Sequence, residues 1–427
     1  MKATDIRALP QHLAVTTALV LALCLLMLLG VAGHAQADCG PGDFVPDQVI
    51  VKLKRGTTVT QINTTYGSTT LEAFPGSTDT YLLGLPDGWG VLETVKQMAS
   101  DGRLLYAEPN FFSQSPEGGA RHHAWGVSSV APTSGEYAAL ALGLEGAHKI
   151  SQGANTTVAV VDTGAQLDHP ALEANFEGVK RYDFVDNDKN PSERAANKDA
   201  DCDGDKDEML GHGTHVAGIV DITAPAAKIM PLRVLDTEGY GNVFTISKAV
   251  YFATSNGADV INLSLGSPSR SRLLQEVIKG ATAKGVLVAA AAGNSNSTVP
   301  QYPAAGDGLA ASADGLVAVT SVSQYEKKSD FANYGIWVDI AAPGEGIRST
   351  FPVSVYANWS GTSMATPFVS GQAALIHAVY GSLKPADVEK KIRCSAQSLI
   401  ATDPVYAAFL GAGRADVYDS LAPGACS

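Results

Sequence analysis

An α/β architecture, with a mostly parallel central sheet preceded by a small α+β unit, is what the sequence predicts, and three observations lead there. Beyond residue 123 continuous apolar runs alternate with helix-like patterns, as strands joined by crossover helices do. Those runs (Val158-Ala159-Val160-Val161, Val260-Ile261-Asn262-Leu263, Val286-Leu287-Val288-Ala289-Ala290 and Val317-Ala318-Val319) suit strands covered on both faces. Of the 427 residues, 45% are hydrophobic and 17% charged, ample material for a core. Lys and Arg number 30 against 43 Asp and Glu, a net charge of -13 that argues against a nucleic-acid or anionic-membrane partner.

The first element is a targeting segment. Lys2 and Arg7 precede a stretch without charge from Leu13 to Gly33, and Ala35-Gln36-Ala37 supplies a small-x-small cleavage site. Residues 1–37 are therefore expected to be a signal peptide of a secreted protein. The alternative is an uncleaved anchor, since the apolar run is long enough to span a bilayer. Cys24 leaves with the signal; Cys39, Cys202, Cys394 and Cys426 allow three pairings. Cys394 with Cys426 is favoured, because both lie in the C-terminal segment, and Cys39 and Cys202 form a second pair or stay free.

The α+β unit comes next. Val49–Leu53 and Tyr81–Leu85 read as strands, 57–66 and 91–98 as helices, and Leu104–Pro109 as a closing strand. Residues 113–123 hold turn formers without apolar periodicity and read as a linker. The expected division is 38–118 for this unit and 119–427 for the larger domain.

Chemistry is expected at the carboxyl ends of the strands. Asp162 follows the first apolar run and opens Asp-Thr-Gly, alone a weak signal that equally suits a turn. His212 sits in Gly-His-Gly-Thr-His-Val-Ala-Gly at the mouth of a buried helix. His215 lies three residues on, but without a Glu or a third ligand a metal pair is disfavoured and His215 reads as a packed neighbour. Ser363 lies in Gly-Thr-Ser-Met-Ala-Thr-Pro ahead of an apolar helix, with Pro367 expected in the first turn. There the free backbone N–H groups favour developing negative charge. Asn294 ends Ala-Ala-Gly-Asn after another strand. A serine needs a base to take its proton, and the imidazole needs a carboxylate to hold its tautomer.

With four such motifs in the order Asp, His, Asn, Ser, the chain resembles the subtilisin-like serine peptidases, densely from about Val158 to His377. The resemblance implies a three-layer fold, Ser363 as nucleophile, His212 as general base, Asp162 as its orienting carboxylate and Asn294 as oxyanion donor. It implies that Ser264, Leu265 and Gly266 pair with substrate and that Ala291 and Gly293 help wall the pocket before the scissile bond. It makes residues 38–118 a ferredoxin-like propeptide, an intramolecular inhibitor cut away within 113–123. Protein or peptide substrates, a monomer and no organic cofactor follow.

Between Asp183 and Glu208 stand ten acids and four bases. Asp199, Asp201, Asp203 and Asp205 at alternate positions suggest a structural calcium loop, with a solvated acidic loop as the other reading. Leu210 stands where an EF-hand has Glu, and Ala171 follows His169-Pro170 where the family often has Asp. The function expected is a secreted serine endopeptidase made as a self-inhibited zymogen. The rivals are a catalytically silent scaffold of the same fold and a calcium-dependent adhesion protein.

Overall fold

A computed structural model describes residues 42–118, 123–200, 203–307, 313–381 and 383–422. The expected signal peptide lies outside the described residues, as do Cys39, Asp201, Cys202 and Cys426. Cys394 is disulfide-bonded, and the favoured pairing with Cys426 falls outside them too. No helix among the described residues is long and apolar enough to cross a membrane.

The leading unit runs β1 (Phe44–Leu53), α1 (Val59–Tyr66), β2 (Thr69–Ala73), β3 (Thr80–Gly84), α2 (Val91–Met98) and β4 (Leu104–Gln114). Thr58 and Gln61 cap α1 reciprocally, a capping box that fixes where the helix starts. The strands are antiparallel in the order β2-β3-β1-β4. Strand alternation sends Val49, Val51 and Leu83 to a core shared with Ile62 and Met98 of the helices. It sends Ile50, Leu82 and Tyr106 the other way, onto the larger domain. The edge strand β2 carries no apolar alternation, so nothing in the sequence signalled it.

The larger domain follows with β5 (Trp125–Ser128), β6 (Thr157–Asp162), β7 (Tyr182–Asp183), α3 (His212–Thr223), β8 (Lys228–Arg233), β9 (Tyr240–Asn242), α4 (Val243–Ser255) and β10 (Val260–Leu263). Then come α5 (Arg272–Ala283), β11 (Leu287–Ala291), β12 (Leu316–Val322), β13 (Ile340–Pro343), β14 (Ile347–Phe351), β15 (Val355–Trp359), α6 (Thr362–Tyr380) and α7 (Pro385–Cys394). Seven strands form the central sheet, β13-β12-β11-β10-β6-β8-β7, with parallel pairing throughout. Alternate strand residues serve opposite layers. Val158, Val160, Val260 and Leu287 pack against α3 and α6, while Ala159, Val161, Ile261 and Val288 pack against α4 and α5. β8 escaped the sequence reading because Pro231 interrupts it, and a proline argues against an interior strand.

This topology places Asp162 at the carboxyl end of β6 and His212 and Ser363 in the first turns of two helices of the same layer.

Candidate active site

Asp162 and His212 lie 50 residues apart in sequence and meet: Nδ1 of His212 donates to Oδ1 of Asp162 at 2.7 Å. That oxygen also accepts from the Thr163 N–H at 2.7 Å, and both side chains are fully buried. The approach of α3 to the end of β6 leaves no room for a side chain at 213, where a Cβ would stand 2.1 Å from the Gly164 carbonyl oxygen. Trp359 sets its edge against both imidazoles, at 5.4 Å from His212 and 5.8 Å from His215. His215 Nε2 bonds the Ile347 and Ala357 carbonyls, and burial pushes its pKa down to about 3, so it is a neutral packed neighbour as expected.

Ser363 is buried near the start of α6. Pro367 lies in the second turn of α6 rather than the first, because the helix already begins at Thr362. It therefore removes the N–H that the Ser363 carbonyl would accept from four residues on. Ser264 makes good the loss, its hydroxyl donating to the Ser363 carbonyl at 2.9 Å. Asn294 accepts from the Thr362 N–H at 3.0 Å and the Thr362 hydroxyl at 2.9 Å, which fixes which end of its amide faces the serine.

Between these groups stands a residue that the sequence reading assigned to a linker. β4 runs on to Gln114 and pairs antiparallel with β9, Phe112 opposite Asn242 and Gln114 opposite Tyr240. Gln114 and Gly266 exchange both backbone hydrogen bonds at 2.9 Å. Three residues later, in the turn closed by the Gly118 N–H on the Ser115 carbonyl, the Glu117 carboxylate enters the site. Its Oε2 accepts from the Ser363 hydroxyl at 2.7 Å, lies 3.2 Å from His212 Nε2, and accepts from the Ser115 hydroxyl at 2.5 Å. Its Oε1 accepts from Asn294 Nδ2 at 3.0 Å and from the Ser363 N–H at 3.4 Å. Serine and imidazole thus share one oxygen instead of bonding each other. A Cβ at 361 would lie 1.8 Å from Oε1, so only glycine leaves space for this carboxylate.

The electrostatics follow. Burial would raise Glu117, but hydrogen bonds from His212, Ser115 and Ser363 outweigh it and its pKa is lowered. Burial would likewise lower His212, yet Asp162 and Glu117 together raise it to about 10. The imidazole is held charged between two carboxylates and has no lone pair with which to take a proton.

A cleft of about 330 Å³ opens beside Asn294, lined by Gly266, Pro268, Gly293, Asn294, Ser295 and Gln301 together with Gln114 and Pro116. Gly266 and Gly293 are thus among its lining residues. Ala291 is buried within β11, and the Leu265 side chain packs into the core. Of the proposed calcium ligands, Asp203 accepts from the Asp205 N–H at 2.9 Å. Asp205 converges with His123 and Glu208, ligand atoms within 4.8 Å of one another, not with Asp199 and Asp203. Asp199 Oδ1 is buried without a hydrogen-bond partner among the described residues, which suits a hard cation.

Glu117, Thr362 and Glu193, whose carboxylate accepts from Thr163, Thr214 and the first N–H groups of α3, were all missed. Glu193 had no signal beyond being one acid among ten.

The subtilase family (peptidase S8) model matches residues 153–413, and a fervidolysin N-terminal prodomain model matches 31–110. Thermitase of Thermoactinomyces vulgaris is 37% identical over 282 residues, covering 64% of this chain and 90% of thermitase. A protease structure from Pseudoalteromonas arctica superposes with a TM-score of 0.59 at 30% identity, covering 66% of this chain and 93% of that one. Fervidolysin of Fervidobacterium pennivorans, at 23% identity, shares the fold with a TM-score of 0.69 over 90% of this chain and 62% of its own. Family match and site geometry agree: the chain belongs to the subtilase family, as a serine endopeptidase with an N-terminal prodomain.

Proposed function

We propose that this subtilase is secreted and held inactive by its own residues 112–118, with Glu117 as the blocking group. The observation that carries this reading is the Glu117 carboxylate bonded at once to Ser363, His212 and Asn294. It stops catalysis twice over, filling the seat of the oxyanion and keeping the base protonated.

Once Glu117 leaves, the Ser363 hydroxyl and His212 Nε2 lose their shared oxygen and face each other. His212 takes the hydroxyl proton as Ser363 attacks the scissile carbonyl, and Asp162 Oδ1 stabilises the imidazolium. Asn294 Nδ2 and the Ser363 N–H, both aimed at Glu117 Oε1 in the blocked form, receive the oxyanion. His212 then returns the proton to the leaving amine, and water resolves the acyl-enzyme. Substrate takes the path of residues 112–114, as an added strand against Gly266 and β9. Residues 38–118 act as the inhibitor, the mature domain begins within 119–123, and it works as a monomer on proteins or peptides.

The chain needs no organic cofactor. A structural calcium ion belongs to this reading, held by the acidic loop through Asp199, Asp201 and Asp203, with Asp205 turned instead toward His123 and Glu208. Excess chelator should then lower the melting temperature; an unchanged melt removes the ion.

The reading is tested by a serine-reactive phosphonate with N-terminal sequencing. Wild type should shorten itself and take the label on Ser363, and Ser363→Ala should do neither. A wild-type chain that stays full length and unlabelled under processing conditions makes the protein a silent scaffold.

A further inference from the structure

The mechanism above leaves one carboxylate beside the triad without a task. Glu193, in the acidic segment, is partly buried and turns both oxygens onto donors. Oε1 accepts from the Thr163 hydroxyl, from the Gly211 N–H at 3.1 Å and from the Gly213 N–H at 3.2 Å. Oε2 accepts from the Thr214 hydroxyl and from the Thr214 N–H at 3.3 Å. Thr163 is the neighbour of Asp162, and Gly211, Gly213 and Thr214 surround His212. One side chain thus ties the end of β6 to the opening turn of α3, the two backbones that carry the Asp–His pair.

We infer that Glu193 is a positioning residue of the triad, clamping Asp162 against His212 and setting the charge felt by the imidazole. Two physical arguments carry this. The carboxylate sits on the first N–H groups of α3, where negative charge is favoured and the otherwise orphaned donors are satisfied. It therefore fixes the helix turn from which His212 projects.

The Thr163 hydroxyl has a single hydrogen and two carboxylates in reach, Glu193 Oε1 and, at 3.3 Å, Asp162 Oδ1. Its lone pair already accepts from the Gly213 N–H at 2.9 Å. Glu193 draws that hydrogen to itself. Asp162 is left with the Thr163 N–H and the imidazole on Oδ1, and its Oδ2 is buried without a partner. A less solvated carboxylate is a stronger partner for an imidazolium. The charged and titratable groups facing His212 are then Asp162, Glu193, the neighbouring His215 and, until it departs, Glu117.

Burial and the neighbouring Asp162 raise Glu193 while the two threonine hydroxyls lower it, with a raised pKa as the result. Five donors on two oxygens suit the ionised form, which accepts all of them.

The inference rests on the triad reading, and the test separates the two. Glu193→Gln in the full-length chain keeps the size but turns an NH2 toward N–H donors and frees the Thr163 hydrogen for Asp162. After self-processing, with active sites counted by phosphonate, kcat should fall about tenfold or more while KM stays within about twofold. The acid limb of kcat/KM should move down by about half a pH unit, because less negative charge holds the imidazolium. In the unprocessed Ser363→Ala background, NMR titration of His212 should show the same downward shift, and Glu193→Asp should restore part of kcat. If Glu193→Gln does not accumulate folded, Thr214→Val loosens the clamp, removing the hydroxyl on Oε2 and the acceptor of the Gln166 N–H while keeping the Glu193 charge, and should lower kcat per labelled site without moving the His212 titration. Unchanged kcat per labelled site with an unmoved His212 titration overturns the role of Glu193. Absence of label in wild type overturns the triad instead.

Discussion

Residues 50–108 and residues 112–118 belong to one leading segment, yet they hold the catalytic body by different chemistry. The first contact is a docked face. Ile50, Phe74, Leu82 and Tyr106 join the core formed with α4 and α5. Glu108 accepts from the Ser271 hydroxyl at 2.7 Å and from the N–H groups of Arg272 and Leu273 at 2.7 and 3.1 Å, capping α5. Asn110 accepts from the Phe244 N–H at the start of α4. The second contact buries little apolar surface and places one charge on the reacting atoms. Affinity and inhibition are therefore separable, one set by helix capping and hydrophobic burial, the other by a carboxylate and an imidazolium.

Breaking the second contact should produce the largest effect. Glu117→Ala removes charge-assisted hydrogen bonds to Ser363, His212 and Asn294, each worth about 1.5–3 kcal/mol. Self-processing, followed as loss of the full-length band, should accelerate about 10- to 100-fold, and the melting temperature of a Ser363→Ala double variant should fall below that of Ser363→Ala alone. A rate equal to wild type would mean that the strand pairing at Gly266, not the carboxylate, is the block.

Acidity gives the same contrast without mutation. His212 is raised from 6.5 to about 10, so its bond to Glu117 is complete below 6.5 and fades as pH climbs toward about 10. Processing of wild type should speed up across that window. The Glu117→Ala chain should lose most of the slope above neutrality, and a parallel slope in the two chains would assign the pH dependence to another group.

The docked face should respond less. Glu108→Ala leaves Ser271 as the N-cap of α5 but strips the acceptor from the Arg272 and Leu273 N–H groups, and should cost about 1–2 kcal/mol in urea unfolding of the Ser363→Ala chain. Intact inhibition in that variant sharpens the distinction; early self-cleavage at wild-type stability would blur it. Smallest of all is Lys52, whose 2.6 Å bridge to Glu276 is substantially exposed. Lys52→Ala should cost under about 1 kcal/mol.

The triad was legible because each member lies in a short run whose glycines and flanking residues suffice to build its local geometry. The parallel strands were legible from their apolar continuity. Glu117 was not, because Ser113-Gln-Ser-Pro-Glu-Gly-Gly has no apolar period and its meaning comes from partners 95 and 246 residues away. Glu193 was read with nine other acids as surface charge, since nothing in the order of residues says which one turns inward. The Pro367 expectation failed for a related reason. A proline in the second turn requires a distant hydroxyl, and Ser264, expected only beside substrate, supplies it.

Hydrolysis of any peptide leaves a carboxylate where the carbonyl had been. The Glu117 headgroup, set between the amide nitrogen of Asn294 and the alcohol of Ser363, already has that shape. The unprocessed chain is thus organised like a complex with a cleaved end that has not departed. Short peptides that pair with Gly266 and end in a free acid should compete for the same seat.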